Sequence, residues 1–273
     1  MRELQDCVIL ITGASSGIGA ATALACAAAG MHVVLQARRR DRLAAVAERI
    51  AEAGGRAHLS VGDVGDPAAA TQAVDAAVEQ FGKLDATLAN AGYGVTARGL
   101  DLPIREHEAL FRTNYFGTVH TLRAAAEAMR NGAGLKHLLV TSSCVSELGP
   151  PLYGPYAATK AAQDALTQAV RAELRPEGFR VSSIHPIGTR TEFFEQAAYA
   201  RHSGQTLNTP PGLMQSAEHV AQRIVRCLRR PVPEVWPSRP ARFAAAAATA
   251  CPRLTAWALD RYYAHQVRND AEA

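Results

Sequence analysis

Tyr156 and Lys160 stand four residues apart in G-P-Y-A-A-T-K-A-A, a stretch that reads as the start of a helix, with Ser143 thirteen residues before the tyrosine. Positions i and i+4 share a helix face, so a phenol and an ammonium lie over each other there. A positive charge beside the phenol favours its ionised form. A serine hydroxyl added to the pair completes a site able to exchange a proton with a bound oxygen. The same spacing also occurs on packed or solvated helix faces that do no chemistry, so the pair must be weighed with its surroundings.

A second constellation lies near the other end of the chain, where C-V-I-L-I-T runs into G-A-S-S-G-I-G. The apolar run from Cys7 to Thr12 reads as a buried strand, and the glycines open an Ala-rich helix. Gly13 allows the turn out of the strand, Gly17 lets backbone approach a phosphate, and Gly19 lets the helix pack closely; the helix N-terminus would hold a pyrophosphate. Ser15, Ser16 and Ile18 fill the loop. The spacing G-x-x-x-G-x-G differs from the G-x-G-x-x-G dinucleotide fingerprint. It is not a P-loop either, because no Gly-Lys-Ser/Thr follows. A glycine-rich helix cap without a ligand is the alternative.

Both constellations need a scaffold, and the chain supplies alternating strands and helices. Apolar, β-rich runs occur at Cys7 to Thr12, His32 to Gln36, Ala57 to Val61, Leu84 to Ala89, His137 to Ser142 and Arg180 to His185, most of them separated by helical stretches rich in Ala, Glu and Arg. That alternation predicts an α/β fold, a doubly wound parallel sheet with right-handed crossovers and helices on both faces. Ligands in such sheets bind beyond the carboxyl ends of the strands. Gly13, Arg38, Asp63, Asn90, Ser143 and Pro186 follow strands one to six and are expected on that one edge.

Composition agrees. A chain of 273 residues with 48% hydrophobic content can bury one large core. No apolar run of about 18 residues is present, and the first residues lead into a strand without a signal-peptide pattern. The expectation is therefore a cytoplasmic protein. Cys7, Cys26, Cys144, Cys227 and Cys251 are scattered without a C-x-x-C pair, which argues against a disulfide framework and a zinc site; no metal is expected. Cys144, beside Ser143, is the one thiol whose reactivity merits attention. The net charge of +4 is modest and spread out, so no nucleic-acid partner is expected.

Taken in order, T-G-A-S-S-G-I-G (Thr12 to Gly19), D-V (Asp63, Val64), N-A-G (Asn90 to Gly92), Asn114 in R-T-N-Y-F-G-T, Ser142 and Ser143, Y-A-A-T-K (Tyr156 to Lys160) and H-P-I-G-T-R-T (His185 to Thr191) give the chain its resemblance to the short-chain dehydrogenases/reductases. The match runs over roughly residues 5 to 195. It implies a Rossmann-type fold and reversible hydride transfer between a nicotinamide cofactor and a carbonyl or secondary alcohol. Ser143 would bind the carbonyl oxygen, Tyr156 would donate the proton, and Lys160 would lower the tyrosine pKa and bind the nicotinamide ribose. Asn114 resembles the family's fourth catalytic residue, which holds a water linking the lysine to solvent; fixing a helix kink is its other reading. The family spacing selects Ser143 over Ser142, which an extended strand end turns to the opposite face.

The second strand ends V-V-L-Q-A-R-R-R, with Ala37 where an NAD site places an acid. Guanidinium groups at Arg38 and Arg39 would attract a 2'-phosphate that an acid would repel, so the expected cofactor is NADP(H). Arg40 and Arg42 read as the start of a solvated helix. By resemblance, Asp63 accepts from the adenine amino group, Val64 packs on the ring, and the backbone of Asn90, Ala91 and Gly92 meets the ribose side. Asn90 reads equally as a strand-end cap. Pro186, Thr189 and Thr191 would hold the carboxamide. Ile187 departs from the family's Pro-Gly step and puts the close backbone approach at that point in doubt.

Residues 190–215 stand where the family has its substrate lid. Phe193, Phe194, Tyr199, Tyr153 and Leu148 could line a pocket for a hydrophobic ketone, lipid-like aldehyde or steroid, or belong to the core; Arg190 and Arg201 leave acidic substrates open. The catalytic unit is expected over residues 1–230, with a helical extension over 231–273 packed on it. Glu234 to Trp236 is expected as a short last strand, with helices over Arg239 to Ala250 and Pro252 to Val267. The last helix is read as a packing or oligomer arm, a pocket cover, or a peripheral membrane contact. A homodimer or homotetramer follows only from the resemblance, through helices near Ile104 and Gly154. Two other functions stay in view: a non-catalytic NADP(H)-binding redox sensor, and an epimerase or dehydratase of related fold.

Overall fold

The computed structural model describes residues 2–130, 132, 134–190 and 214–271, with side chains described up to Ala264. Strands β1 (Val8–Thr12), β2 (His32–Ala37), β3 (Ala57–Val61), β4 (Ala86–Ala89), β5 (His137–Thr141), β6 (Arg180–Ile184) and β9 (Glu234–Val235) form one sheet in the order β3-β2-β1-β4-β5-β6-β9, every neighbouring pair parallel. This is the doubly wound order: the chain runs outward from β1 to β3, then crosses back to start β4 beside β1. A two-stranded piece, β7 (Thr189–Arg190) with β8 (Gln215–Ser216), stands apart from it.

Helices cover both faces, and the strands divide their side chains between them with the period of two that a pleated strand imposes. Ile9, Ile11, Val33, Leu35 and Leu88 enter one layer, which also holds Cys26, Leu43, Ile50, Ile224 and Leu228. Those five come from α1 (Gly17–Ala28), α2 (Arg40–Glu52) and α7 (Ala217–Arg229). Val8, Leu10, Val34, Leu138 and Val140 enter the other layer, against Ala73, Val74, Leu122 and Met129 of α3 (Pro67–Phe81) and α5 (Gly117–Arg130). Burial on both sides explains why β1 reads as an unbroken apolar run.

The expected strands are all present with small shifts at their ends. β4 begins at Ala86, not Leu84, because Asp85 turns its side chain to the neighbouring strand and accepts from the Val8 N–H at 2.8 Å. The sheet takes its edge strand from Glu234–Val235, so it continues past residue 230. Beyond it lie α8 (Arg239–Ala250), capped by the Ser238 hydroxyl, and α9 (Pro252–Ala271). Among the described residues no helix is long and apolar enough to cross a membrane. Thr191, Phe193, Phe194, Tyr199 and Arg201 lie outside the described residues.

Two helical segments carry three of the expected site residues, Tyr156, Lys160 and Asn114. α6 (Gly154–Glu173) buries Tyr156, Lys160, Gln163, Asp164 and Thr167, a stripe at helical spacing that turns its polar groups inward. Between α4 (Ile104–Phe111) and α5 the chain makes a π-helical turn, Arg112–Phe116, with Asn114 at its centre. Such turns widen a helix locally and reorient a side chain.

Candidate active site

A cavity of about 480 Å³ runs along the carboxyl edge of the sheet, from Arg38 beyond β2 to Lys160 on α6. Sequence positions some 150 residues apart meet here because parallel strands all end on one edge. Of the expected site residues with described side chains, only Gly19 and Asn114 are not on its wall. Both support those that are.

The glycine loop shows why side chains are excluded there. Gly13 has φ +66°, and a Cβ on it would meet the Ala91 Cα at 2.8 Å; Gly17 has φ +55°. A Cβ on Gly19 would collide with the Gly13 carbonyl oxygen and stand 2.8 Å from Asn90 Nδ2. Gly19 therefore packs the helix start against the loop itself. Ser16 caps α1 in extended conformation and makes no side-chain cap bond, so the first N–H groups of α1 face the cavity without a side-chain acceptor. That arrangement, with glycine backbone at Gly13 and Gly92 and Ala37 at the end of β2, fits a dinucleotide phosphate bridge.

Arg39 reaches across the loop, its Nη2 donating to Ser15 Oγ at 3.0 Å and to Ser16 Oγ at 2.9 Å. Arg38 is mostly solvent-facing, with Nη1 3.9 Å from Asp63 Oδ2, an exposed pair that contributes little. Asp63 turns its other oxygen to the Gly65 N–H at 2.9 Å, and Val64 is buried against Gly117, where a Cβ would meet Val64 Cγ2 at 2.7 Å.

Asn90 caps the strand ends with its side chain. Its Nδ2 donates to the Thr12 carbonyl oxygen at 3.0 Å and its Oδ1 accepts from Thr141 Oγ1 at 3.1 Å, tying the ends of β1, β4 and β5 together. Thr12 Oγ1 in turn accepts from the N–H groups of Asn90 and Ala91. The backbone of Asn90, Ala91 and Gly92 is left along the cavity.

At the far end, Ser143, Tyr156 and Lys160 all border the cavity, and Lys160 Nζ stands 5.7 Å from the Tyr156 ring centroid. Lys160 is only 3% exposed, and its Nζ donates to the Thr141 carbonyl oxygen at 2.8 Å. Burial pushes the lysine down to about 7. It also pushes the Tyr156 phenol well above the ordinary tyrosine value, with the Ser143 hydrogen bond acting the other way. The sequence-based expectation of a tyrosine lowered by lysine is thus opposed within the protein, because desolvation disfavours the charged form of both groups. Asn114 is fully buried: Oδ1 accepts from the Tyr93 N–H at 3.0 Å, and Nδ2 donates to the Tyr93 carbonyl oxygen at 2.9 Å and to Thr159 Oγ1 at 3.0 Å. It joins the π-turn to the loop after β4 and to α6, and a Cβ on Gly92 would stand 3.0 Å from its Oδ1.

After β6, Pro186, Ile187, Gly188 and Thr189 all border the cavity. Ile187 is accommodated, and its carbonyl oxygen accepts from Thr189 Oγ1 at 2.7 Å. Of the two described candidates for an apolar pocket, Tyr153 lines the cavity and Leu148 does not. The sequence reading missed Tyr93, Thr113, Val145, Pro150 and Tyr262. Thr113 lies within a recognised motif and Tyr93 and Val145 lie near one, so proximity could have suggested these three. Tyr262 comes from α9, the helix for which a pocket cover is one of the three sequence readings; its neighbour Tyr263 packs against Leu152, Tyr153 and Tyr156.

This geometry, a doubly wound sheet with a glycine-cradled helix start and a Ser–Tyr–Lys cluster, agrees with what the comparisons find. A family model for short chain dehydrogenase matches residues 7–201. The chain belongs to the short-chain dehydrogenase/reductase family, oxidoreductases that use a nicotinamide cofactor. It is 38% identical over 193 residues to the A-factor type gamma-butyrolactone 1'-reductase (1S-forming) of Streptomyces virginiae, covering 69% of this chain and 74% of that one. Among solved structures, a short chain dehydrogenase/reductase from Burkholderia phymatum in complex with NAD superposes with TM-score 0.82 at 26% identity, over 93% of this chain and 97% of the other. A short chain dehydrogenase from Burkholderia cenocepacia in complex with NADP gives TM-score 0.73 at 28% identity, over 86% and 97%.

Proposed function

We propose that the protein is an NADP(H)-dependent reductase of a hydrophobic ketone or aldehyde, running in reverse as a secondary-alcohol dehydrogenase. The carrying observation is the meeting of Ser143, Tyr156 and a buried Lys160 at one end of a cavity whose other end carries Arg38 and Arg39, with Ala37 and no carboxylate at the end of β2.

A bound nicotinamide cofactor would supply the hydride to the carbonyl carbon and accept it in the reverse direction. Gly13, Ser15, Ser16, Gly17 and Ile18 would hold its phosphate bridge at the α1 N-terminus. Arg38, with Arg39 beside it, would meet the 2'-phosphate, Asp63 and Val64 the adenine, and Pro186 and Thr189 the carboxamide. Ser143 donates to the substrate oxygen and orients it, and Tyr156 delivers the proton to that oxygen as negative charge grows on it. Lys160 steadies the ribose and, when protonated, stabilises the phenolate left behind. Asn114 keeps the π-turn and the Tyr93 loop in register with α6. Tyr153, Val145, Pro150, Ile187 and Tyr262 give the substrate end an apolar wall, which supports a hydrophobic substrate over a sugar. All five cysteines are free thiols, which suits a reducing cytoplasm. Ile104 and Phe116 expose large apolar side chains, which supports the expected homodimer or homotetramer.

Fluorescence titration with NADPH and NADH, followed by a panel of ketones and aldehydes from small polar compounds to steroids, tests the reading. Tighter NADPH binding and NADPH oxidation by apolar carbonyls are expected. Binding without turnover across the panel would shift the reading to a redox sensor.

A further inference from the structure

Asp164, His185 and Trp236 sit behind the Ser143 corner and have no part in the proton and hydride steps. His185 is fully buried at the end of β6, its ring flat against Trp236 with centroids 4.4 Å apart and planes 5° from parallel. Trp236 is held in turn by Nε1, which donates to Glu234 Oε2 at 3.0 Å. The stack fixes the plane of the imidazole, so the groups lying in that plane decide where its nitrogens are used.

His185 Nδ1 lies 3.3 Å from the Ser143 carbonyl oxygen and 3.4 Å from Ser146 Oγ. We assign the hydrogen to Nδ1, the tautomer that gives the Ser143 carbonyl oxygen an imidazole donor. Nε2 lies 2.9 Å from Ser183 Oγ and 3.5 Å from Asp164 Oδ1. Asp164 stands one helical turn beyond Lys160 and is 6% exposed; its Oδ1 has no hydrogen-bond partner among the described residues, while Oδ2 accepts from Gln168 Nε2 at 3.4 Å. With the hydrogen on Nδ1, Nε2 accepts from the Ser183 hydroxyl, and that bond sets which edge of the ring turns toward Ser143.

The Ser143 corner depends on this support. The Ser143 hydroxyl accepts from the Val145 N–H at a long 3.4 Å. Its carbonyl oxygen accepts from the Ser146 N–H at 3.1 Å and from Ser146 Oγ at 2.8 Å, and the Cys144 N–H donates to the Pro186 carbonyl oxygen at 3.0 Å. His185 and Pro186 are consecutive, so one short piece of chain grips Ser143 and Cys144 by a side chain and by a main-chain carbonyl.

We propose that His185, oriented by the Ser183 hydroxyl and by the Trp236 stack, is a positioning residue that fixes the Ser143 main chain and so aims the Ser143 hydroxyl at the substrate oxygen. The inference rests on the reductase reading for its kinetic consequence, but not for its structural one.

Three variants separate a positioning role from packing. His185→Asn keeps an amide donor near the Nδ1 position, His185→Gln moves the donor toward the Nε2 position, and His185→Phe keeps the stack and removes both nitrogens. Crystal structures of each with NADPH are expected to show Ser143 Oγ where wild type has it in His185→Asn, and displaced by about 1 Å in the other two. Turnover of the best carbonyl in the panel should follow: kcat down about 10- to 100-fold for His185→Gln and His185→Phe, near wild type for His185→Asn, with NADPH affinity within about twofold throughout. Ser183→Ala, which removes the Nε2 partner and keeps the ring, should lower kcat about tenfold, and it carries the test if His185→Phe does not fold. An unmoved Ser143 in His185→Phe, or equal losses of kcat and melting temperature in all three His185 variants, overturns the proposal. Because the Ser143 position is read without turnover, a wild type that reduces nothing counts against the reductase reading and leaves this result standing.

Discussion

Lys160 Nζ donates to the Thr141 carbonyl oxygen at 2.8 Å, joining helix α6 to the last residue of β5. Thr141 also gives its hydroxyl to Asn90, and Ser142 Oγ donates to the Lys160 carbonyl oxygen at 3.4 Å. The strand that leads to Ser143 and the helix that carries Tyr156 are therefore fastened beside the Ser143–Tyr156–Lys160 cluster. The lysine is a structural fastener as well as a proposed reactant.

That burial has a pH signature. Lys160 is pushed down to about 7, from an ordinary value of 10.5. Between those values the unfolded chain holds a proton that the folded chain does not, so stability rises with pH from about 7 to about 10 and is flat with respect to this group below 7. Thermal unfolding of wild type and Lys160→Met side by side should show wild type gaining on the variant across that window. A difference independent of pH would mean that Lys160 stays charged in the fold.

Tyr156→Phe removes the proton donor and keeps the ring that packs against Leu152 and Tyr153. Turnover should fall by about 10²- to 10⁴-fold, with NADPH affinity within a few-fold and the melting temperature nearly unchanged. Steady-state kinetics beside fluorescence titration decides it, and retained turnover would remove the tyrosine from its role.

The two arginines after β2 should separate. Arg38 is exposed with only a loose contact to Asp63, so Arg38→Ala should weaken NADPH about tenfold and leave NADH alone. Arg39 holds Ser15 and Ser16, parts of the loop that either dinucleotide would need, so Arg39→Ala should weaken both. Paired titrations of each variant with both cofactors check the distinction; equal losses for Arg38→Ala would dissociate that residue from the 2'-phosphate.

Gly19→Ala adds a methyl where the Gly13 carbonyl oxygen and Asn90 Nδ2 already stand. Overpacking of this kind costs about 1–3 kcal/mol. Here it would also shift the α1 N-terminus, so both denaturation midpoint and dinucleotide affinity should drop. A variant with full affinity would show that the loop can relax around the methyl group.

The sequence by itself determined the α/β architecture and most of the site wall. Buried parallel strands must read as short apolar runs, and glycines are required where backbone meets backbone at Gly13 and Gly19. The i, i+4 spacing of Tyr156 and Lys160 fixes their shared helix face whatever the rest of the fold does. Tertiary structure decided the electrostatic balance at Tyr156 and Lys160, since desolvation depends on everything packed around a group. It also gave Asn90 its clamp across three strands, set Arg39 on the serines of the glycine loop, brought Tyr262 back from α9 to the cavity, and laid His185 between Trp236, Asp164 and the Ser143 carbonyl oxygen. The Asn90–Thr12 contact alone joins residues 78 positions apart in the chain. Local propensity and periodicity act over a few residues, so relationships at that range exist only once the sheet has ordered its strands and closed its two helical layers.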